Sequence, residues 1–416
     1  MRTTEEKPAA GTGREIAAGA AISQQPLGPD ALRRARLPTV FHLRSSGGMF
    51  GADRVVLDLC FELPAAGYRA LMVPLIEPGG VGAELRSAAE AAGVPVRPLV
   101  LTHRFDWRAV ARLRRLAAVE GPAILHGHDY KTNFLIRLAA SPDIRRVATL
   151  HGRVGTDWKL RLYEALDARL VRSFDRVICV SERMRALEER PGFQPIAIHN
   201  GIDLERFRVA VAADPAFRLR MRALLGLPAD AEIIGSVGRL SAEKGYDVLL
   251  RAVARLVPAR PRLHLLLIGN GHEQRTLRQL AAKLGVADRL HLPGLRDDSP
   301  ALYPAFDVFC LPSYREGLPL ALLEALAAGL PAAVTAVGGV PEVIGDRSPV
   351  ALTVAPGDVE GLAQGLTRLL DDSDLRARLG AEARRRVEER FSRAQMARAV
   401  ARLYDGLLEE DRAALE

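Results

Sequence analysis

Only three of the 416 residues are cysteine, and aromatic residues make up 5% of the chain. Cys60, Cys179 and Cys310 sit singly in apolar runs, with no partner at metal-ligand spacing. They read as buried free thiols of a reducing compartment, which excludes a disulfide scaffold and a zinc module. No apolar run reaches the ~20 residues needed to cross a bilayer. The first residues lack a basic start followed by an apolar core, so no secretory signal is expected. The Gly-x-Gly-x-x-Gly fingerprint and the Gly-Lys-Ser/Thr phosphate loop are both missing, which argues against a dinucleotide cofactor and a Walker-type site. No Asp/His cluster has metal-ligand spacing. Asp372-Ser-Asp374 matches a metal-binding Asp-x-Asp in letters, but it stands at a helix start, where both residues serve as caps. The expectation is no metal and no cofactor.

What the chain has is positive charge, a net +8 carried mostly by arginine. Such an excess suits a nucleotide's phosphates or an anionic membrane surface. No recognition motif accompanies it, so nucleic acid is not expected as a partner. A length of 416 residues predicts two or three domains. Residues 1–36 are rich in Ala, Gly, Gln and Pro without an apolar period, and read as a disordered or loosely attached leader. From Pro38 onward, short apolar runs alternate with helical patterns. Strands are expected near 38–43, 68–75, 94–99, 123–126, 146–150 and 176–180, with helices between. That alternation predicts a parallel sheet covered on both faces, with ligands at the carboxyl ends of its strands. His126, His128 and His151 fall at such ends. Gly47, Gly48 and Gly51 form a glycine loop after the first strand. Asn200-Gly201 is a turn signal, and the linker is expected over 204–230.

The second half is more explicit. Ile233–Val237 is a buried strand, and Gly238-Arg-Leu-Ser-Ala-Glu-Lys-Gly245 follows it at a helix entrance. Arg239 offers a planar fork and Lys244 a compact charge, a pairing suited to a diphosphate. Farther on, the strand Asp307–Leu311 runs into Ser313-Tyr-Arg-Glu-Gly-Leu-Pro-Leu-Ala-Leu-Leu-Glu324. Gly317 permits an unusual turn, Pro319 suits the first helical turn, and the free N–H groups there form an anion site. Glu324 is a carboxylate in an otherwise apolar helix, so it needs partners. Amphipathic helices are expected over 358–371, 375–390 and 395–410.

The Glu316-Gly-Leu-Pro-Leu-Ala-Leu-Leu-Glu324 stretch resembles the paired-glutamate motif of the retaining glycosyltransferases of family 4, also called glycosyl transferases group 1. The resemblance covers roughly residues 37 to 410. It implies an α/β fold of two Rossmann-like, doubly wound parallel-sheet domains facing a cleft, the GT-B fold. The expected divisions are 37–205 for an acceptor-side domain, 206–394 for a nucleotide-sugar domain and 395–416 for a helix crossing back to the first. It implies that Glu316 meets the donor sugar and Glu324 the ribose. Gly238, Arg239 and Lys244 would clamp the pyrophosphate, aided by Gly317, Leu318 and Pro319. Arg296, with Leu295, would lie beside the base. His151 would approach the donor sugar, and His128, Gly47, Gly48 and Gly51 would serve the acceptor side. Glu316, His151, Arg239 and Lys244 are the implied catalytic set. Gly338, Gly339 and Glu342 resemble the segment behind the donor. The implied activity is metal-independent transfer, with retention, from a nucleotide sugar to a saccharide or lipid-linked acceptor in bacterial polysaccharide or glycolipid synthesis. The implied place is the cytoplasm, at the cytoplasmic face of the membrane. A sugar-nucleotide 2-epimerase of the same fold and a catalytically silent nucleotide-sugar-binding module are the alternatives.

Overall fold

The computed structural model describes residues 37–103, 106–152, 158–207, 215–296, 299–345 and 349–415. The chain divides at Leu37 into two units, and everything below concerns Pro38–Glu416. The expected leader over 1–36 and part of the expected linker, 208–214, lie outside the described residues.

The first half alternates without exception: β1 Thr39–Arg44, α1 Gly51–Glu62, β2 Arg69–Ile76, α2 Ala83–Ala91, β3 Leu99–Val100, α3 Arg108–Glu120, β4 Pro122–Gly127, α4 Tyr130–Ala139, β5 Arg145–Leu150, α5 Trp158–Leu170, β6 Arg176–Cys179, α6 Glu182–Glu188 and β7 Ile196–Ala197. Its seven strands lie in the order β3-β2-β1-β4-β5-β6-β7, all parallel. The second half runs α7 Pro215–Leu224, β8 Glu232–Val237, α8 Tyr246–Leu256, β9 Leu263–Ile268, α9 Gln274–Lys283, β10 Leu290–Gly294, α10 Ser299–Leu302, β11 Val308–Leu311, α11 Leu320–Ala327, β12 Ala332–Thr335, α12 Val340–Ile344, β13 Leu352–Val354, α13 Val359–Asp371, α14 Ser373–Arg390 and α15 Arg393–Leu415. Its six strands take the order β10-β9-β8-β11-β12-β13, again parallel.

Strand alternation builds the cores. Val40, Met72, Ile124, Val147 and Ile178 face one side of the first sheet and pack with α1 and α15. Phe41, Leu43, Leu71, Val73, Leu125 and Ala148 face the other side and pack with α3 and α4. Strands buried on both faces need continuous apolar sequence, which is why they are legible as runs. The expected strand over 94–99 is the exception. Only a bridge at Val96 and the two-residue β3 form there, at the sheet's edge.

Both sheets reverse order next to their first strand, between β1 and β4 and between β8 and β11. Ligands in doubly wound sheets bind at such points, beyond the carboxyl ends of the strands. The loops after β1, β5, β8 and β11 leave from those ends and line one cleft.

Two chain crossings join the halves, and they are hydrogen-bonded to each other. Ile202 N donates to Phe391 O at 2.8 Å, and Arg393 N donates to Ile202 O at 2.9 Å. The turn signal at Asn200-Gly201 thus lies at one of the two crossings between the halves. A Cβ on Gly201 would lie 2.3 Å from Ser392 O, so the glycine is required by close approach. The last helix, α15, then lies on the first half. Its Met396, Ala397, Val400, Tyr404 and Leu407 belong to the β1/α1 core. Arg393 pairs with Glu62 and Asp203 at its start, and Tyr68 Oη donates to Asp405 at 2.6 Å. Asp372 caps α14, accepting from Leu375 N at 2.8 Å, while Asp374 lies within the first turn and is not a cap.

Candidate active site

The cleft is lined from one side by Met49–Ala52, Arg54, His151 and Gly152, and from the other by Gly238, Arg239, Lys244, Leu295, Arg296 and the stretch Arg315–Ala321 with Glu324. Every residue expected on the donor side lies on this wall. They arrive from three separate loops, each leaving the carboxyl end of a parallel strand.

Lys244 closes a short 3-10 turn at the foot of α8 and extends Nζ to both oxygens of Glu316, at 2.8 and 3.0 Å. Ser313 Oγ also donates to Glu316 Oε1, at 2.6 Å. The carboxylate is thus held by a cation and a hydroxyl in a partly buried floor, where charged hydrogen bonds are strong. Arg239 lies across the cleft mouth with its guanidinium 5.4 Å from the Phe50 ring of the facing half. Glu324 is 8% exposed, and burial pushes its carboxyl above the usual range. Tyr303 Oη donates to its Oε2 at 2.6 Å, and Arg54 from α1 approaches its Oε1 to 3.9 Å. Those are the partners that the buried glutamate required.

Gly317 is needed for another reason than a turn. A Cβ there would lie 2.5 Å from the His151 carbonyl oxygen, so the two halves meet backbone to backbone at this point. Pro319 is the N-cap residue of α11, one position earlier than the expected first turn; no side chain caps this helix start, and Leu318–Ala321 line the cleft.

Other expectations need correction. His128 is not on the cleft wall. It is 3% exposed and lies behind His151, because Leu43 O draws its backbone N into the sheet. Of the loop glycines, Gly51 lines the cleft and Gly47 a neighbouring groove, whereas Gly48 lines neither. Glu342 does not face the donor cleft. It accepts from Glu182 N and Arg183 N at the start of α6 and from His199 Nε2, tying the second half to the first. The sequence reading missed Arg54, Phe50 and Asn200, whose Nδ2 donates to Leu318 O at 3.3 Å. For Arg54, its helical spacing from Gly51 was the available signal.

His42, His126 and His128 bring ring nitrogens within 4.8 Å of one another, a metal-sized group that sequence spacing hides because it spans β1 and β4. Of their six nitrogens, five already have hydrogen-bond partners, and the rings stack in place of converging.

Sequence comparison matches both halves of this cleft. Residues 218–386 fit the family described as glycosyl transferases group 1, and residues 50–206 fit glycosyltransferase family 4. The lipopolysaccharide core biosynthesis glycosyltransferase LpsE of Rhizobium meliloti is 36% identical over 360 residues, covering 85% of this chain and 95% of that protein. The chain is a group 1 glycosyltransferase. The same organism's lipopolysaccharide core biosynthesis mannosyltransferase LpsB is 30% identical over 245 residues, 58% of this glycosyltransferase and 68% of that one. In fold, the chain is similar to Anabaena HepE, solved with UDP and glucose. The TM-score is 0.77 at 22% identity, covering 89% of this chain and all of that one. The two-sheet GT-B architecture expected from the glutamate motif is the architecture observed.

Proposed function

We propose that this glycosyltransferase moves a sugar, with retention and without a metal, from a nucleoside-diphosphate donor to a saccharide carried on lipid. The observation that carries the reading is the cleft floor, where Lys244 is held on Glu316 beside the entrance of α11, with Arg239 at the mouth of the same cleft. These groups supply positive charge where a diphosphate leaves, the task a divalent ion performs in other enzymes. Glu324, held by Tyr303 and facing Arg54, suits two adjacent hydroxyls such as those of ribose.

The acceptor reading rests on a groove of about 770 Å³ across the Ser45–Phe50 loop, lined by Ser45, Gly47, Glu77, Asp129, Tyr130 and Lys131. Lys131 is paired with Glu77, and Asp129 caps α4, so the groove offers neutral polar recognition suited to hydroxyl groups. The relatives named for lipopolysaccharide core synthesis support a cell-surface glycolipid as product. No helix among the described residues is long and apolar enough to cross a membrane. Exposed Trp107 beside Phe134, next to Arg108, Arg114 and Arg115 on α3, suits peripheral contact with anionic lipid.

A screen of UDP-, GDP- and ADP-sugars, read by thermal shift and by diphosphate release in the presence of chelator, tests the reading. Diphosphate release with retained anomeric configuration is the expected result. Loss of turnover in chelator, restored by Mg²⁺ or Mn²⁺, overturns metal independence. Epimerised nucleotide sugar without an acceptor, or binding without release, would favour the epimerase or the silent module.

A further inference from the structure

The histidine on the cleft wall ends a chain of three. His42 Nδ1 lies 3.0 Å from His128 Nε2, and His128 Nδ1 lies 3.2 Å from His151 Nε2. The two outer atoms, His42 Nε2 and His151 Nδ1, are buried and have no hydrogen-bond partner. His126 stacks on His128 with ring centroids 4.2 Å apart, but Tyr404 and Thr149 engage both its nitrogens, so it stands beside the chain. The inner end, His42, is fully buried in β1, and the outer end lines the cleft.

Burial holds all three imidazoles well below their ordinary range, His42 and His151 down to about 3, so each ring is neutral near pH 7. A neutral imidazole has one N–H and one bare nitrogen. Each of the two contacts needs one donor. If His42 donates from Nδ1, His128 accepts at Nε2, carries its own proton on Nδ1 and donates to His151 Nε2. His151 then carries its proton on Nδ1. If His42 instead accepts at Nδ1, all three protons sit on Nε2. No third arrangement satisfies both contacts, so the three rings share one tautomer.

The sealed end decides between them. Both outer nitrogens are buried, so either arrangement leaves one N–H unpaired in the unliganded chain. Protons on Nδ1 place it at His151, which is only half-buried and lines the cleft, so a small movement of the ring brings it to water or a ligand oxygen. Protons on Nε2 place it at His42, 0% exposed inside β1, beyond such relief. Buried N–H groups without acceptors are the rarer defect, and each costs the full desolvation of the group. Passing from one arrangement to the other along the chain takes one proton in at His42 Nε2 and releases one at His151 Nδ1. No described group reaches His42 Nε2 to supply it.

We propose that His42 and His128 are positioning residues that lock His151 in its Nδ1–H form, so that it meets the substrate as a hydrogen-bond donor to a sugar or phosphate oxygen. The ligand class rests on the proposed function. The lock is a property of the unliganded chain and stands or falls without it.

Histidine-selective ¹⁵N labelling, with two-bond ¹H–¹⁵N correlations on the unliganded protein near pH 7.5, reads each ring's tautomer from its two nitrogen shifts. His42, His128 and His151 are expected all to be Nδ1–H. Any of the three found as Nε2–H, or charged, overturns the proposal, and this reading needs no variant. His42→Leu removes the inner donor. His151 should then show a mixture of tautomers, and turnover with the donor that the screen identifies should fall about tenfold, with affinity for its nucleoside diphosphate unchanged. His42→Asn, which can donate to His128 from nearly the same place, should recover most of that loss. A folded His42→Leu protein whose His151 keeps the wild-type tautomer overturns the lock. Intact locking with no response of the His151 shifts to the donor overturns the substrate contact alone.

Discussion

Lys244 and Glu316 pair with each other in the unliganded cleft, and the proposed diphosphate would compete for that ammonium. Two opposite outcomes follow. Lys244→Ala should weaken nucleoside-diphosphate binding by about 1.5–3 kcal/mol, the range for a charge-assisted contact, and leave nucleoside binding unchanged. Glu316→Gln should free Lys244 and tighten diphosphate binding, while single-turnover transfer falls ~100-fold or more, as for loss of other transition-state contacts. Titration calorimetry beside single-turnover kinetics checks both, and transfer at the wild-type rate in Glu316→Gln would remove Glu316 from the reaction. Glu324→Gln should weaken donor and nucleoside diphosphate together, because the carboxylate held by Tyr303 and Arg54 is proposed to bind the ribose that both carry. At this scale the sequence was legible where a site is built from consecutive residues. Arg239, Lys244 and Glu316 sit on two short glycine-containing loops, and Glu324 lies in the helix that the second of them enters. His42 was not legible, because its partner comes from another strand, and Arg54 had only its helical spacing from Gly51 as a signal, since its partner Glu324 comes from the opposite half.

The strands were legible from apolar runs and the late helices from their period, to within two or three residues at most ends. Helix α15, read over 395–410, extends to Arg393–Leu415. The short β3 was over-read, since an edge position needs few ladder bonds and Val94–Leu99 resembles an inner strand only in composition. The return of the last helix to the first half was implied by the resemblance, but the pairing of the two crossings at Ile202 and Arg393 was not legible, as it is set by a backbone contact between positions nearly two hundred residues apart. Gly201→Ala should force that contact open, lowering stability by about 1–3 kcal/mol as overpacking does. Gly47→Ala, where a Cβ meets nothing within 4 Å, should leave the melting temperature unchanged. Calorimetric melting of the two variants provides the comparison. Equal melting temperatures would show that the crossing yields at no cost.

Across the whole molecule, four imidazoles share one buried cluster on the central strands β1, β4 and β5 and at their carboxyl ends, and burial lowers the pKa of each. Their unfolded-state values lie near 6.5, and those of His42 and His151 in the fold lie near 3. The unfolded chain therefore takes up protons below about pH 6.5 that the folded chain refuses. Stability contributed by these groups is complete above that pH and is lost as pH falls toward 3. Each such histidine steepens the loss by about 1.4 kcal/mol per pH unit. Four together would exhaust an ordinary domain's stability of ~5–15 kcal/mol within one to three units. Urea unfolding between pH 7.5 and 5 should show this steep decline, shallower by about a quarter in His42→Asn. A flat profile would mean that the cluster is hydrated. The net positive charge was legible in composition, and His126, His128 and His151 were legible at strand ends, but His42 was not, since it reaches them only across the β1–β4 pairing.

The placement of α15 has a consequence for synthesis on the ribosome. The β1/α1 core takes in Met396, Val400, Tyr404 and Leu407, and Tyr404 also satisfies His126 in the middle of the first sheet. The half that is translated first thus lacks part of its interior until almost everything else has been made. Vectorial folding, one half and then the other, is closed to this chain. The second half should finish first, and the earlier one should wait, partly open, for its final helix. Nascent chains arrested before residue 393 should stay sensitive to brief proteolysis within 38–197, and those extended so that residue 407 clears the exit tunnel should become resistant. Equal resistance at both lengths would show that the first half closes without it.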